Sequence, residues 1–333
     1  MRDIPRAAAL LPAARQFCPD AARVVFLRES HNLIYRVERG RGEGFILRLT
    51  PERHRRAAEI AGELEFQLYL HENGAPVVAS LRAGEAYILP VPIGGRTYFA
   101  AAFALAPGRN WDERCDFTLE IYFQIGKALG QIHGLSKAYV PAGNERRRQW
   151  HESQHLLRAP ALLQAYNPKL CGVFDTLMAE MKNIPVGNAD FGLTHGDYLF
   201  SNYMITGDNQ ITVFDFDECE YSWYAMDLAI CMHCYLIGPE PALLPTLADT
   251  AEAMLYDLLR GYTGETPLSR EMLPHLQAFF KVRDFIYLSS ILEASKKLTG
   301  WSKAFAETCT DRMLNHRPFL AFSMERALEL AAA

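Results

Sequence analysis

Residues 193–217 read Leu193-Thr-His-Gly-Asp197-Tyr-Leu-Phe-Ser-Asn202-Tyr-Met-Ile-Thr-Gly-Asp-Asn-Gln-Ile211-Thr-Val-Phe-Asp215-Phe-Asp217. Two apolar runs, Tyr203–Thr206 and Ile211–Phe216, flank the turn residues Gly207–Gln210, a pattern that predicts a β-hairpin. In that register Thr206 faces Ile211, Met204 faces Val213 and Asn202 faces Asp215. Directly opposite residues share a face with Cβ atoms roughly 4.5–5.5 Å apart. The pairing therefore sets an amide oxygen beside a carboxylate, hard donors of the kind that Mg²⁺ takes. Asp217, two residues on, is either a further ligand on the same face or a solvated strand end.

Working outward, the N-terminal part is strand-rich. Val24–Leu27, Leu33–Val37, Phe45–Leu49, Tyr87–Val91 and Thr97–Phe103 are short β-branched and aromatic runs between turn residues. One interruption, Arg53 to Glu72, spaces Ile60, Leu64 and Leu68 as a helix does and stops at Asn73-Gly74. After Pro107-Gly108 the texture becomes helical. Thr118–Ser136 carries Ile121, Ile125, Leu129 and Ile132 on one face, and further helices are expected over Pro168–Lys182, Leu244–Gly261, Arg270–Leu298 and Lys303–Leu330. The reading is α+β, with an N-terminal β-rich lobe at residues 1–103, a linker at 104–110 and a larger, mainly helical lobe at 111–333.

Asp197 precedes Asn202 with the D-x-x-x-x-N spacing of a kinase catalytic loop, in which the Asp accepts the acceptor hydroxyl's proton and the Asn holds Mg²⁺. Together with His195-Gly196-Asp197, Val213-Phe-Asp-Phe-Asp217 and Asp227-Leu228-Ala229, this resembles the aminoglycoside phosphotransferase/choline kinase superfamily, and within it the stress-response kinase A and type II homoserine kinase branch. The resemblance implies a protein-kinase-like bilobal fold and transfer of the ATP γ-phosphoryl group to a hydroxyl. It implies Asp197 as catalytic base, Asn202 and Asp215 as Mg²⁺ ligands, His195 as a brace and Asp227 as a structural acceptor. Ser30-His31-Asn32 is similar to the family's phosphate-covering turn. Arg48 stands where its phosphate-contacting lysine does, and Glu63, or else Glu59, where the helix glutamate pairs with that lysine. Phe103–Leu105 corresponds to the hinge that holds adenine. ATP and Mg²⁺ are the cofactors so implied.

Three departures from that pattern stand out: an arginine for the lysine, no G-x-G-x-x-G over the first hairpin, and Asp-Phe-Asp for Asp-Phe-Gly. The first two motivate an alternative in which the chain binds ATP without transferring phosphate; a Ser/Thr protein kinase is the other. The expected acceptor is a small amino alcohol such as homoserine, choline or hydroxylysine, and Glu218 and Glu220 favour a cationic one.

The rest of the sequence is bounding rather than directing. The 333 residues carry a net charge of −5 with 22% charged and 50% apolar residues, ordinary for a folded domain and without the basic excess of a nucleic-acid binder. No apolar run approaches the roughly 20 residues of a membrane span. The Ala7–Ala14 run, broken by Pro12, makes a poor signal peptide. Seven cysteines without framework spacing suit a reducing, cytoplasmic setting. Cys231-x-x-Cys234 lies in an apolar helical stretch rather than a zinc site, and Arg146–Arg148 reads as a solvated face. Oligomeric state is left open.

Overall fold

The computed structural model describes residues 4–110, 119–143, 147–237, 244–295, 297–323, 325–327 and 329, and only the backbone at 119, 235–237 and 244–250. Thr118, Arg146 and positions 296, 324, 328 and 330 of the expected C-terminal helices lie outside the described residues. The chain divides into two compact units. One comprises Met1–Arg109, Tyr139–Arg147 and Thr212–Asp217, the other Asn110–Ala138, Arg148–Ile211 and Glu218–Ala333.

The first unit is built on an antiparallel sheet of β1 (Ala21–Glu29), β2 (Leu33–Arg39), β3 (Phe45–Pro51), β4 (Ser80–Leu81), β5 (Leu89–Ile93) and β6 (Arg96–Ala104). Its order is β1-β2-β3-β6-β4, with β5 also on β6. Period-two alternation gives the sheet two unlike faces. One buries the row Tyr35, Leu47 and Ala102 with Leu33, Val37, Phe45 and Leu49 against Leu10, Ala14 and Phe17. The last two come from α1 (Leu11–Phe17), which follows a 3₁₀ turn at Ala7–Leu10. Pro12 does not break this helix, because it sits in the first turn, where a missing N–H costs nothing.

The other face packs Ile46, Ala101 and Phe103 against Ile60 and Leu64 of α2 (Ala57–Glu72). Arg48 lies on this face, in the row Ile34–Arg48–Ala101. Thr212–Asp217 joins the same unit through backbone bonds. The Val78 N–H donates to the Val213 carbonyl at 3.0 Å, and the Val213 N–H to the Pro76 carbonyl at 2.7 Å. Phe214 packs into the α2-side core and Phe216 sits edge-on to Phe66 at 5.9 Å. Two anchored rings thus fix the backbone on either side of Asp215.

The second unit holds α3 (Leu119–Ser136), α4 (Gln154–Tyr166), α5 (Lys169–Lys182), α6 (Tyr224–Ile237), α7 (Leu244–Thr263), α8 (Leu276–Ala294) and α9 (Gly300–Leu314). Glycine lets α3 and α7 approach closely: a Cβ at Gly126 would lie 2.0 Å from the Leu258 carbonyl oxygen, and one at Gly261 1.9 Å from that of Phe123. The C-terminal helices are shorter than their apolar spacing suggests. Pro274 holds a 3₁₀ turn ahead of α8, and α9 ends at the Asn315 cap before Pro318. A small antiparallel pair, β7 (Phe191–Thr194) with β8 (Glu220–Trp223), aligns Thr194 with Glu220. The expected hairpin strands are short, Tyr203–Ile205 and Ile211–Val213. Asn202 lies in a 3₁₀ turn and Asp215 has φ 67°, so neither belongs to a ladder and the face-sharing argument does not extend to them. No helix among the described residues is long and apolar enough to cross a membrane.

Candidate active site

In the first unit the site grows from the polar residues of the α2-facing side. Arg48 is buried and forks onto Glu63, Nη1 to Oε1 at 2.6 Å and Nη2 to Oε2 at 2.7 Å. Burial alone would lower the Arg48 pKa, but the Glu63 carboxylate more than offsets it and holds the guanidinium charged. Glu59, the other candidate, instead accepts the Arg56 N–H at 2.9 Å in a capping box at the start of α2. The Arg48 guanidinium lies 5.2 Å from the Phe103 ring centroid. Phe103 is inside the sheet, opposite Ile46 and Ser80. Leu105 is the first residue past the strand.

Two carboxylates that stand two residues apart have opposite environments. Asp215 is half-buried, its backbone in the left-handed region that a non-glycine residue occupies at a cost, a feature frequent at functional sites. Its Oδ1 lies 3.7 Å from Arg48 Nη1 and its Oδ2 3.7 Å from Arg28 Nη2. Burial pushes its pKa up to about 6 against the pull of Arg48, with Asp217 adding to the rise. Asp217 is buried and fully engaged. Its Oδ2 meets Asn32 Nδ2 and His54 Nε2, each at 3.1 Å, and its Oδ1 accepts from Arg55 Nε at 3.2 Å. Burial raises its pKa, but the His54 hydrogen bond and the charges of Arg55 and Arg48 outweigh that and hold it well below the usual carboxylate range.

Asp217 is therefore a latch. Through Asn32 it ties down the Ser30–Asn32 turn, and Arg147, which donates to the carbonyls of Asp217 and Glu59, closes the same corner. Arg147 is thus buried rather than solvated. His31 is exposed and stacks on His54 with ring centroids 4.8 Å apart.

In the second unit, the β7–β8 pair delivers the chain to His195-Gly196-Asp197. The buried Asp227 takes the backbone N–H of His195 on Oδ2 at 2.7 Å and that of Gly196 on Oδ1 at 3.0 Å. His133 Nε2 meets the same Oδ2 at 3.1 Å, and its Nδ1 meets the Tyr262 hydroxyl at 3.0 Å. Glycine at 196 is needed twice, for φ 77° and because a Cβ there would lie 2.2 Å from the Glu218 carbonyl oxygen. Asn202 Nδ2 closes the loop onto the Asp197 carbonyl at 2.9 Å and Oδ2 at 3.2 Å. That commits the amide nitrogen and turns Oδ1 the other way. Arg283 of α8 donates through Nη2 to Asp197 Oδ1 at 2.9 Å, its side chain 8% exposed against 28% for Asp197.

Glu218 and Glu220 do not remain as free acidic groups. Arg148 donates to Glu218 Oε2 at 2.6 Å and Glu220 Oε2 at 2.8 Å, so the basis for preferring a cationic acceptor is removed. Sequence reasoning missed Arg28 and Arg283. The first is visible only once strand register is known. The second is an arginine on an apolar helix with no spacing relation to Asp197. In chemistry, the Asp215 carboxylate of the first unit and the Asn202 amide oxygen of the second are each the kind of oxygen donor that a hard divalent cation takes.

The chain as a whole is similar to known proteins. Residues 24–264 match the model of the phosphotransferase enzyme family. An amicoumacin kinase from Bacillus subtilis (strain 168) is 27% identical over 285 residues, 83% of this chain and 82% of its own. Among solved structures, an amicoumacin kinase in complex with AMP-PNP, Ca²⁺ and Ami superposes with a TM-score of 0.82 at 22% identity, covering 91% of both chains. A microcompartment-associated aminopropanol kinase gives 0.69 at 19% identity over 98% of this chain and 95% of its own.

Proposed function

Because the chain belongs to the phosphotransferase enzyme family, we propose that it transfers the γ-phosphoryl group of ATP, with Mg²⁺, to a hydroxyl of a small amino alcohol-type acceptor. The observation that carries this reading is the Asp197 loop. Its backbone is pinned by Asp227, and its carboxylate is held by Asn202 and Arg283. That is the preorganisation a general base needs, and phosphoryl transfer depends mainly on positioning and electrostatics.

Asp197 orients the acceptor hydroxyl and takes its proton. The hydroxyl oxygen bonds to the γ-phosphorus as the bridging bond to the β-phosphate breaks, and ADP leaves with the negative charge. A divalent cation, when bound, would screen charge on the phosphates, with Asn202 Oδ1 and Asp215 as the protein's oxygen donors. Arg48, fixed by Glu63, retains N–H groups for a phosphate oxygen, and Leu105 opens the segment expected to hold adenine. The structural likeness to an aminopropanol kinase supports an amino alcohol.

The test is Mg²⁺-dependent ADP formation over a panel of amino alcohols, aminoglycosides and a Ser/Thr protein, with Asp197→Asn beside the wild type. One acceptor is expected to stimulate ADP formation. Asp197→Asn should lower that rate by about 10²–10⁴-fold and leave ATP binding unchanged. Stimulation that survived the substitution would remove Asp197 from the chemistry.

A further inference from the structure

The β1–β2 pair contains one irregularity beside the site, and it determines where an arginine goes. Val24 opposes Val37, Val25 opposes Arg36 and Phe26 opposes Tyr35, but Arg28 opposes Ile34 and Glu29 opposes Leu33. Leu27 is the extra residue of a β-bulge. Had the first register continued, Arg28 would oppose Leu33, whose side chain is buried on the apolar face that packs against α1. The bulge moves Arg28 to the opposite face, into the row Arg28–Ile34–Arg48–Ala101. Bulges commonly re-aim a side chain next to active sites.

The two arginines of that row reach the same carboxylate from different oxygens, at 3.7 Å each. That is ion-pair range but beyond a hydrogen bond. They differ in what else they do. Arg48 is 2% exposed and gives both terminal nitrogens to Glu63. The Arg28 side chain is 49% exposed and has no hydrogen bond among the described residues, so its donors are uncommitted.

The turn that follows supplies little in their place. The Ser30 N–H is spent on the Asn32 carbonyl at 2.9 Å, the Asn32 N–H faces Ser30 Oγ at 3.5 Å, and the Asn32 side chain is latched to Asp217. A glycine-rich loop cradles phosphate with free backbone N–H groups. Here two of those groups are turned inward, and an arginine with free donors stands just before them.

We propose that Arg28 is a phosphate-binding residue of the nucleotide site, its guanidinium hydrogen-bonding non-bridging oxygens of the β- and γ-phosphates in place of a backbone cradle. This rests on the reading of the chain as an ATP-dependent phosphotransferase. In it Arg48 is the buried cation and Arg28 the exposed one. An arginine suits the task because its planar fork meets two phosphate oxygens at once.

The experiment is equilibrium binding of ATP, ADP and adenosine, by calorimetry with Mg²⁺ present, to the wild type and to Arg28→Lys, Arg28→Gln and Arg28→Glu, with thermal melting of each. Arg28→Gln should weaken ATP by about tenfold or more, the size of a charge-assisted hydrogen bond. Lys should retain part of the affinity and Glu lose the most. ADP should be affected less than ATP, and adenosine should bind all four proteins equally. Equal ATP affinity in Arg28→Gln and wild type would overturn the proposal, as would an equal loss for adenosine. A wild type that bound adenosine but gained nothing from the phosphates would instead break the nucleotide reading itself, before any variant was compared.

Discussion

The two units hold the carboxylates of the candidate site by different physics. In the first, Asp215 and its partners are set by the sheet and by buried side-chain pairs. Arg48 is fixed by strand register and by Glu63, and the corner at Asp217 by Asn32, His54 and Arg55. In the second, the loop that carries Asp197 is set through its backbone N–H groups. A single buried acceptor, Asp227, gathers two consecutive N–H groups of the loop, and a glycine permits the close pass beside Glu218. The difference teaches where charge and stability are coupled. The polar groups of the first unit are part of its core, whereas Asp197 is partly exposed and can lose its charge without unmaking the loop that carries it.

That contrast is broken most directly by Glu63→Gln set beside Asp197→Asn. The Arg48–Glu63 pair is 3% and 0% exposed on its two sides. Removing one charge from a buried pair leaves the other uncompensated and costs about 3–5 kcal/mol. Denaturant unfolding should show that loss for Glu63→Gln and a much smaller change for Asp197→Asn. Similar losses in both would mean that the two carboxylates are embedded alike.

The same contrast explains what could be read from the chain. The Asp197 loop is local: its glycine, aspartate and asparagine lie within eight residues, and their spacing alone suggests the chemistry proposed for it. The strands and α2 follow from alternation and helical spacing. The Arg28 position was not legible, because one inserted residue at Leu27 reverses which face it occupies, and single-sequence alternation does not reveal a bulge. The role of Asp217 was open for a similar reason, since its partners Asn32, His54 and Arg55 come from distant segments. Arg147 and Arg148 looked solvated as a run of charges, although each is committed to carbonyls or carboxylates. α1 was missed because proline was read as a breaker where it sits in a first turn.

Arg283 sharpens the comparison within the second unit, as a side-chain cation on the carboxylate of a loop whose backbone Asp227 pins. With Asp197 as the proposed base, Arg283 would act through it as a positioning residue. Arg283→Gln should lower kcat by about tenfold while leaving the KM for ATP unchanged, and Arg283→Lys should recover part of the rate. A loss of melting temperature with kcat unchanged would make the arginine structural only.

The smallest effect tests whether the second unit also stores charge in its interior. Glu220 is buried and shares Arg148 with Glu218. Burial pushes its pKa up to about 7 from 4.5, Arg148 opposes the rise, and Glu218 and Asp227 add to it. In the unfolded chain the same group loses its proton near its ordinary value, so between pH 4.5 and 7 the folded state binds more protons than the unfolded one. Stability from this group is then fully present below the unfolded pKa and declines as pH rises through the folded one. Glu220→Gln, which cannot ionise, should flatten the decline in denaturation free energy across that window while Arg148 keeps Glu218 as its partner. A slope identical to that of the wild type would show that Arg148 holds Glu220 ionised, making the cluster a paired network like that around Arg48.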